Sequence, residues 1–178
     1  MKFSHITHQV LSELNSILSQ IDEQEVDKLC DIIMSSERIF LAGIGRSGLV
    51  ARSFAMRLMH AGFQVHVVGD VTTPSIGEKD LLIAISGSGE TQIIKYIADR
   101  AKGFGADVLL ITSNPQKSSI SEIADLSIIL PKSNQPILPL KSAFEASAFV
   151  FLDIVVMMIM EKKGLTESQM MKRHSNLE

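Results

Sequence analysis

Five short stretches, residues 39–42, 65–68, 81–85, 108–111 and 126–130, are apolar rather than alternating. A strand with one wet face alternates apolar and polar residues; a strand without alternation must be covered on both faces, as in a parallel sheet held between helix layers. Stretches of helical period follow most of these runs, at 47–60, 90–102, 118–123 and 142–162. As crossovers between parallel strands they are right-handed and fall on opposite faces of the sheet. The pattern therefore predicts an α/β chain, a three-layer α/β/α sandwich around a five-stranded parallel sheet. Two helices lead: Ile6, Val10, Leu14, Ile17 and Leu18 share one helical face and Val26, Leu29 and Ile33 another, with Asp22 and Glu23 placed to start the second. We divide the 178 residues, the length of one ordinary domain, into leading helices (1–36), an α/β core (37–131), and a last helix with its tail (140–178). The proline-bounded residues 131–139 read as a loop beside the site.

Residues 143–160 are apolar and nearly long enough to span a bilayer. Glu145 and Asp153 argue against that, because a charge at a bilayer centre costs roughly 2.5–3.5 kcal/mol. A helix apolar on nearly every side, with Met157, Met158 and Met160 among its residues, is expected in a core and a subunit interface instead. A net charge of -3 leaves no basic footprint for nucleic acid, which favours a small-molecule ligand. The single Cys30 forms no internal disulfide and reads as a buried core residue, and no positively charged leader precedes an apolar stretch; both point to the cytoplasm.

Chemistry concentrates after two of the strands. Gly43-Ile44-Gly45-Arg46-Ser47-Gly48 and Ser86-Gly87-Ser88-Gly89-Glu90-Thr91 each leave a buried run and enter a helix. The start of a helix presents unpaired N–H groups and the positive end of the macrodipole, glycine allows close approach, and hydroxyls add donors; together these hold a phosphate. Turn and cap chemistry also favours Ser, Thr and Gly, but accounts for one hydroxyl more readily than for Ser86, Ser88 and Thr91 together. The first loop also matches G-x-G-x-x-G, with Asp70 placed like a ribose-binding acid. That motif is weak alone, the chain has no room for a separate substrate domain, and Arg46 brings a charge-pairing group into the loop.

These two loops, with Ser53-Phe54-Ala55-Met56-Arg57-Leu58-Met59-His60 between them, resemble a sugar isomerase (SIS) domain. The 54–60 segment and the terminal Arg173-His174-Ser175-Asn176-Leu177-Glu178 are similar to the 6-phospho-3-hexuloisomerase branch of that family, and the resemblance spans nearly the whole chain. It implies a flavodoxin-like strand arrangement and an isomerase that moves a ketone between C3 and C2 of a hexulose 6-phosphate through an enediol, as in ribulose monophosphate formaldehyde fixation, with no cofactor and no metal. An isomerase of a different sugar phosphate and a non-catalytic phosphosugar sensor are the alternatives. The family's Pro-x-Gly-Ser/Thr-x-Phe-Glu-Gln stretch reads here Pro139-Leu140-Lys141-Ser142-Ala143-Phe144-Glu145-Ala146, with lysine for the glycine and alanine for the glutamine.

The resemblance aligns Glu145 with the general base, although an acid in a helix's first turn is also ordinary. It makes His60 a proton carrier or sugar-ring opener, while a histidine in a last turn is also stabilised by the negative helix end. His174, in a tail that would ordinarily fray, is implied to dock and to complete a site across a subunit boundary. Substrate contacts fall to Gly45, Arg46, Ser47, Ser86, Ser88, Gly89 and Thr91, with Arg57 read as an ion-pair residue. His5, His8 and His66 form no recognisable metal set. The assembly implied is a homotetramer, a dimer of dimers with sites near the subunit interfaces, and with neither nucleic acid nor membrane as partner.

Overall fold

In a computed structural model, which describes residues 2–114, 116 and 118–177, the elements run α1 (Phe3–Leu18), α2 (Glu23–Ser35), β1 (Ile39–Gly43), α3 (Arg46–His60), β2 (Val65–Val67), β3 (Leu81–Ile85), α4 (Gln92–Gly103), β4 (Asp107–Thr112), β5 (Leu126–Ile129), α5 (Ala143–Lys163) and α6 (Glu167–Met171). All neighbouring strands pair in parallel, in the order β2-β1-β3-β4-β5. This is the doubly wound order, in which the chain first steps one way from β1 and then returns past it, so that the direction of winding reverses between β1 and β3. The predicted parallel sheet between helix layers is what the chain forms.

The two faces of the sheet are covered unequally. Ile39, Leu41, Leu81, Ile83, Ile85, Leu109 and Ile111 pack with α1, α2, α3 and α5 in the larger core. Phe40, Ala42, Leu82, Ala84, Val108 and Leu110 pack under α4, through Ile94, Ala98 and Ala101, and under irregular segments carrying Val68, Ile76 and Ile120. Cys30 is buried in the larger core, as expected. The last long helix meets the length and composition test for a membrane span, yet it lays Phe144, Ala148, Phe151, Leu152, Val155 and Ile159 into the larger core.

Residues 118–123 are turns rather than the expected helix. Their serines compete for the backbone: the Ser118 N–H donates to Ser121 Oγ at 2.6 Å and the Ser121 N–H to Ser118 Oγ at 3.2 Å. One turn so committed is too short to repay helix nucleation. Two pieces were not anticipated: α6, whose Thr166 and Gln169 form a reciprocal capping box, and a 3₁₀ turn at Pro139–Lys141. In that turn Leu140 and Lys141 both take left-handed backbone, φ 56° and 63°. The second is the position where the resemblance expects glycine, the residue that adopts this conformation at least cost.

The loop of residues 131–138 is anchored from the far end of the chain. Glu13 on α1 is buried, and its Oε2 accepts from the Ile137 and Leu138 N–H groups at 3.1 and 2.9 Å. Removing that carboxylate leaves two backbone donors without their acceptor. Glu13→Ala is expected to lower stability by about 2 kcal/mol, and Glu13→Gln, which keeps one acceptor oxygen, by less, measured by urea unfolding.

Candidate active site

The β1 and β3 register sets Gly43 beside Ile85, so the loops that leave these two strands start side by side at the carboxyl edge of the sheet. Their chains then part to opposite faces, α3 to the larger core and α4 to the smaller, and the crevice opens at the reversal point where such sheets bind ligands. The first loop is closed by backbone contact. A Cβ on Gly48 would lie 2.7 Å from the Gly43 carbonyl oxygen, and one on Gly43 2.7 Å from that of Ser47. These two glycines serve the tight turn, whereas Gly45 has open space around it and φ 59°. No N-cap side chain bonds to the start of α3 or α4, as is also true of α1 and α5, whereas Asp22 and Thr166 cap α2 and α6. The first-turn N–H groups of α3 and α4 therefore have no protein side chain satisfying them at the crevice.

The second loop is fixed from several sides. Ser86, buried, pairs its hydroxyl with Thr91 Oγ1 at 3.0 Å, so that threonine is committed to the loop rather than to capping its own helix. Ser88 Oγ accepts the Glu90 N–H at 3.2 Å. Gly89, at φ 69°, lies so close to the Ser118 side chain that a Cβ would collide with it. Glu90 turns away from the crevice to accept from Ser119 N–H and Oγ at 2.8 and 2.6 Å; this bonding to Ser119, through hydroxyl and then backbone, holds its pKa below the usual carboxylate value.

Three residues that sequence reasoning passed over orient this loop. Thr112 Oγ1, Ser113 Oγ and the Ser113 N–H all donate to the Gly87 carbonyl, at 3.2, 2.7 and 3.1 Å, and Asn114 donates to the Ser88 carbonyl at 3.2 Å. The signal was present: a polar triplet at the carboxyl end of the strand beside β3.

Helix α5 supplies the acid. The Phe144 ring packs on Gly87, where an added Cβ would lie 2.9 Å from it, and on the neighbouring position Glu145 sets Oε2 3.7 Å from Arg46 Nε. That oxygen is buried and without a hydrogen-bond partner. Arg46, Ser47, Gly45 and Glu145 thus gather around the start of α3, with Ser86, Ser88, Gly89 and Thr91 across the crevice. Asp70, the acid of the dinucleotide reading, is held by Arg52 in a forked pair at 2.7 and 3.2 Å.

His60 and His174 lie elsewhere. Helices α3 and α5 run in the same sense, Arg46 meeting Glu145 near their starts and Arg57 meeting Asp153 at 3.4 Å further along. From Arg46 to His60 the helix rises about 21 Å, so one chain does not bring His60 to its own Glu145. His60 is buried and stacks on His174, ring centroids 5.2 Å apart and planes 19° apart. Burial first, then the nearby His174 and Arg57 charges, push the His60 pKa below the ordinary histidine value. The pair lines a cavity of about 360 Å³ with Arg57, Asp153, Met157 and Glu167. Of the tail, Met170 is buried, while Arg173 and His174 are exposed and touch the end of α3 of the same chain through the His60 carbonyl and the His60 ring; the last residue, Glu178, lies outside the described residues. Among the described residues no group of three or more His, Cys, Asp or Glu side chains is placed to hold a metal.

Known proteins are similar to this chain over most of its length. The family described as the SIS domain matches residues 32–157. A Bacillus subtilis protein named 3-hexulose-6-phosphate isomerase is 45% identical, covering 100% of both chains. A Methanocaldococcus jannaschii protein of the same name is 43% identical over 87% of this chain and 85% of its own. A crystal structure of a hypothetical protein from Methanococcus jannaschii, described as inferring a molecular function of 3-hexulose-6-phosphate isomerase, superposes with a TM-score of 0.85 at 40% identity, over 97% of each chain. With loops, acid and full-length similarity in agreement, the chain belongs to the SIS domain family.

Proposed function

We propose that the protein is a sugar-phosphate isomerase that interconverts a 3-hexulose 6-phosphate, D-arabino-hex-3-ulose 6-phosphate, with fructose 6-phosphate. The observation that carries this reading is the Glu145 carboxylate, whose Oε2 accepts no hydrogen bond and lies 3.7 Å from Arg46 Nε at the start of α3, a helix that no side chain caps, in a chain similar end to end to a protein of that name. The phosphate sits on the Ser86–Thr91 loop, held by Ser86, Ser88, Gly89 and Thr91 with the N–H groups of α4. Gly45, Arg46 and Ser47 face the sugar from the other wall. Glu145 takes the proton from C2 of the 3-ketose and returns one to C3, the enediol between them being the shared intermediate. A second group must move protons between the two oxygens; His60, buried with its ring stacked on His174, is the group we assign to that task.

This assignment needs a second copy of the chain. Leu49 and Met56 on α3 and Phe149, Val150, Ile154 and Met157 on α5 are exposed, and the two helices pack together, so they form one apolar face of the kind that marks an interface. Glu145 lies toward one end of that face and His60 toward the other. A two-fold axis through the middle exchanges the ends, bringing the partner's His60 to Glu145. We infer a dimer of this kind, doubled into a tetramer, working in the cytoplasm.

Glu145→Gln is expected to bind phosphosugar while turning over at least roughly 100-fold more slowly. Proton NMR with fructose 6-phosphate in heavy water checks the wild type: deuterium should enter at C3 as a 3-ketose appears. Binding with no exchange at C3 would shift the reading to another sugar phosphate or to a sensor. Ile154→Asp should yield monomers by light scattering together with loss of turnover, and an active monomer would rule out the shared site. Because folding lowers the His60 pKa, the unfolded chain binds the extra proton, so stability is lost as pH falls below about 6.5 toward the folded value. His60→Asn should remove that part of the acid slope in thermal melts.

A further inference from the structure

Arg173 sits where the tail meets the end of α3. Its Nη1 donates to the His60 carbonyl at 3.2 Å and to the Gln169 carbonyl at 3.3 Å, joining the last turn of α3 to α6. The flat face of the guanidinium lies over Gly62, where an added Cβ would stand 3.1 Å from Cζ. Gly62 also has φ 92°, so two independent features, backbone conformation and clearance for the arginine, require glycine there. A positive group at the carboxyl end of a helix meets the partial negative charge of its last carbonyls. The next residue along the tail, His174, stacks on the His60 ring.

We propose that Arg173 is a positioning residue that fixes the His60–His174 pair for proton transfer. The guanidinium holds His60 through its backbone and His174 through the adjoining peptide, so the two rings are locked against each other without Arg173 touching substrate. A lysine could supply the charge and donate to both carbonyls from one nitrogen, as Nη1 does, but not the flat surface that lies over Gly62. The charged and titratable groups around His60 come from every neighbouring element: Arg57 on α3, Asp153 on α5, Glu167 on α6, and Arg173 and His174 in the tail. Of these, Arg57 is paired with Asp153, which leaves Arg173 as the cation bonded to the His60 backbone.

This inference rests on the reading that His60 acts in catalysis, and the two can fail separately. The experiment measures kcat and KM with the 3-hexulose 6-phosphate for full-length wild type, Arg173→Gln, His60→Asn and the double variant, with melting temperatures recorded alongside. Arg173→Gln should lower kcat about 10- to 100-fold, the scale of a displaced catalytic group, with KM within about twofold. In the His60→Asn background the same change should have no further effect on kcat, because both act through one unit. Wild-type kcat for His60→Asn would overturn the role of His60. A slow His60→Asn beside a fast Arg173→Gln, or fully additive losses in the double variant, would overturn the positioning role. If Arg173→Gln does not fold, Arg173→Lys decides: a reduced kcat at unchanged KM supports the planar clamp, and wild-type kcat excludes it.

Discussion

Strand β3 has no wet residue. Leu81, Leu82, Ile83 and Ala84 are fully buried and Ile85 is 1% exposed, so apolar cover is required above and below, and everything else in the architecture answers to that. Covering both faces from one chain means that some connections go up and others down. In a parallel sheet the change of hand between them falls at one place, here between β1 and β3. The crevice is therefore a by-product of burying β3, and the glycines and hydroxyls of the two loops fill a position that the topology has already opened.

Much of this was legible in the sequence because burial writes itself into composition. A strand covered on both sides cannot hide its lack of alternation, and a tight strand-to-helix turn cannot do without Gly43 and Gly48, whose backbones touch. The segment 118–123 misled because apolar spacing says nothing about serine hydroxyls that capture the same N–H groups a helix needs. Thr112, Ser113 and Asn114 were overlooked for a related reason: their role is fixed by strand adjacency, since only the β3–β4 pairing brings them to the Gly87 and Ser88 carbonyls.

Residues linked over long stretches of chain were the least visible. Glu13 holds a loop more than a hundred residues away, and Arg173 reaches back across 113 positions to His60. Glu13 carries no local pattern and would ordinarily be expected on the surface, yet it is buried; Arg173 belongs to the terminal run that carries the resemblance, but nothing in that run points to the His60 carbonyl. The separation of His60 from Glu145 was equally hidden, because it depends on α3 and α5 running in the same sense rather than on any property of the two residues.

The uneven covering of the sheet has a mechanical side. Four helices clothe one face, while α4 and irregular segments clothe the other, and the hydroxyl loop is the hinge-point of that thinner coat, sewn to it by Gly89, Glu90 and Ser119. Thinly packed layers open locally at lower cost than the rest of a fold. An anion held by the loop would therefore tighten that thinner face, and amide exchange across α4 and the 118–124 turns is where its occupancy is expected to register, more than on the face covered by α1, α2, α3 and α5.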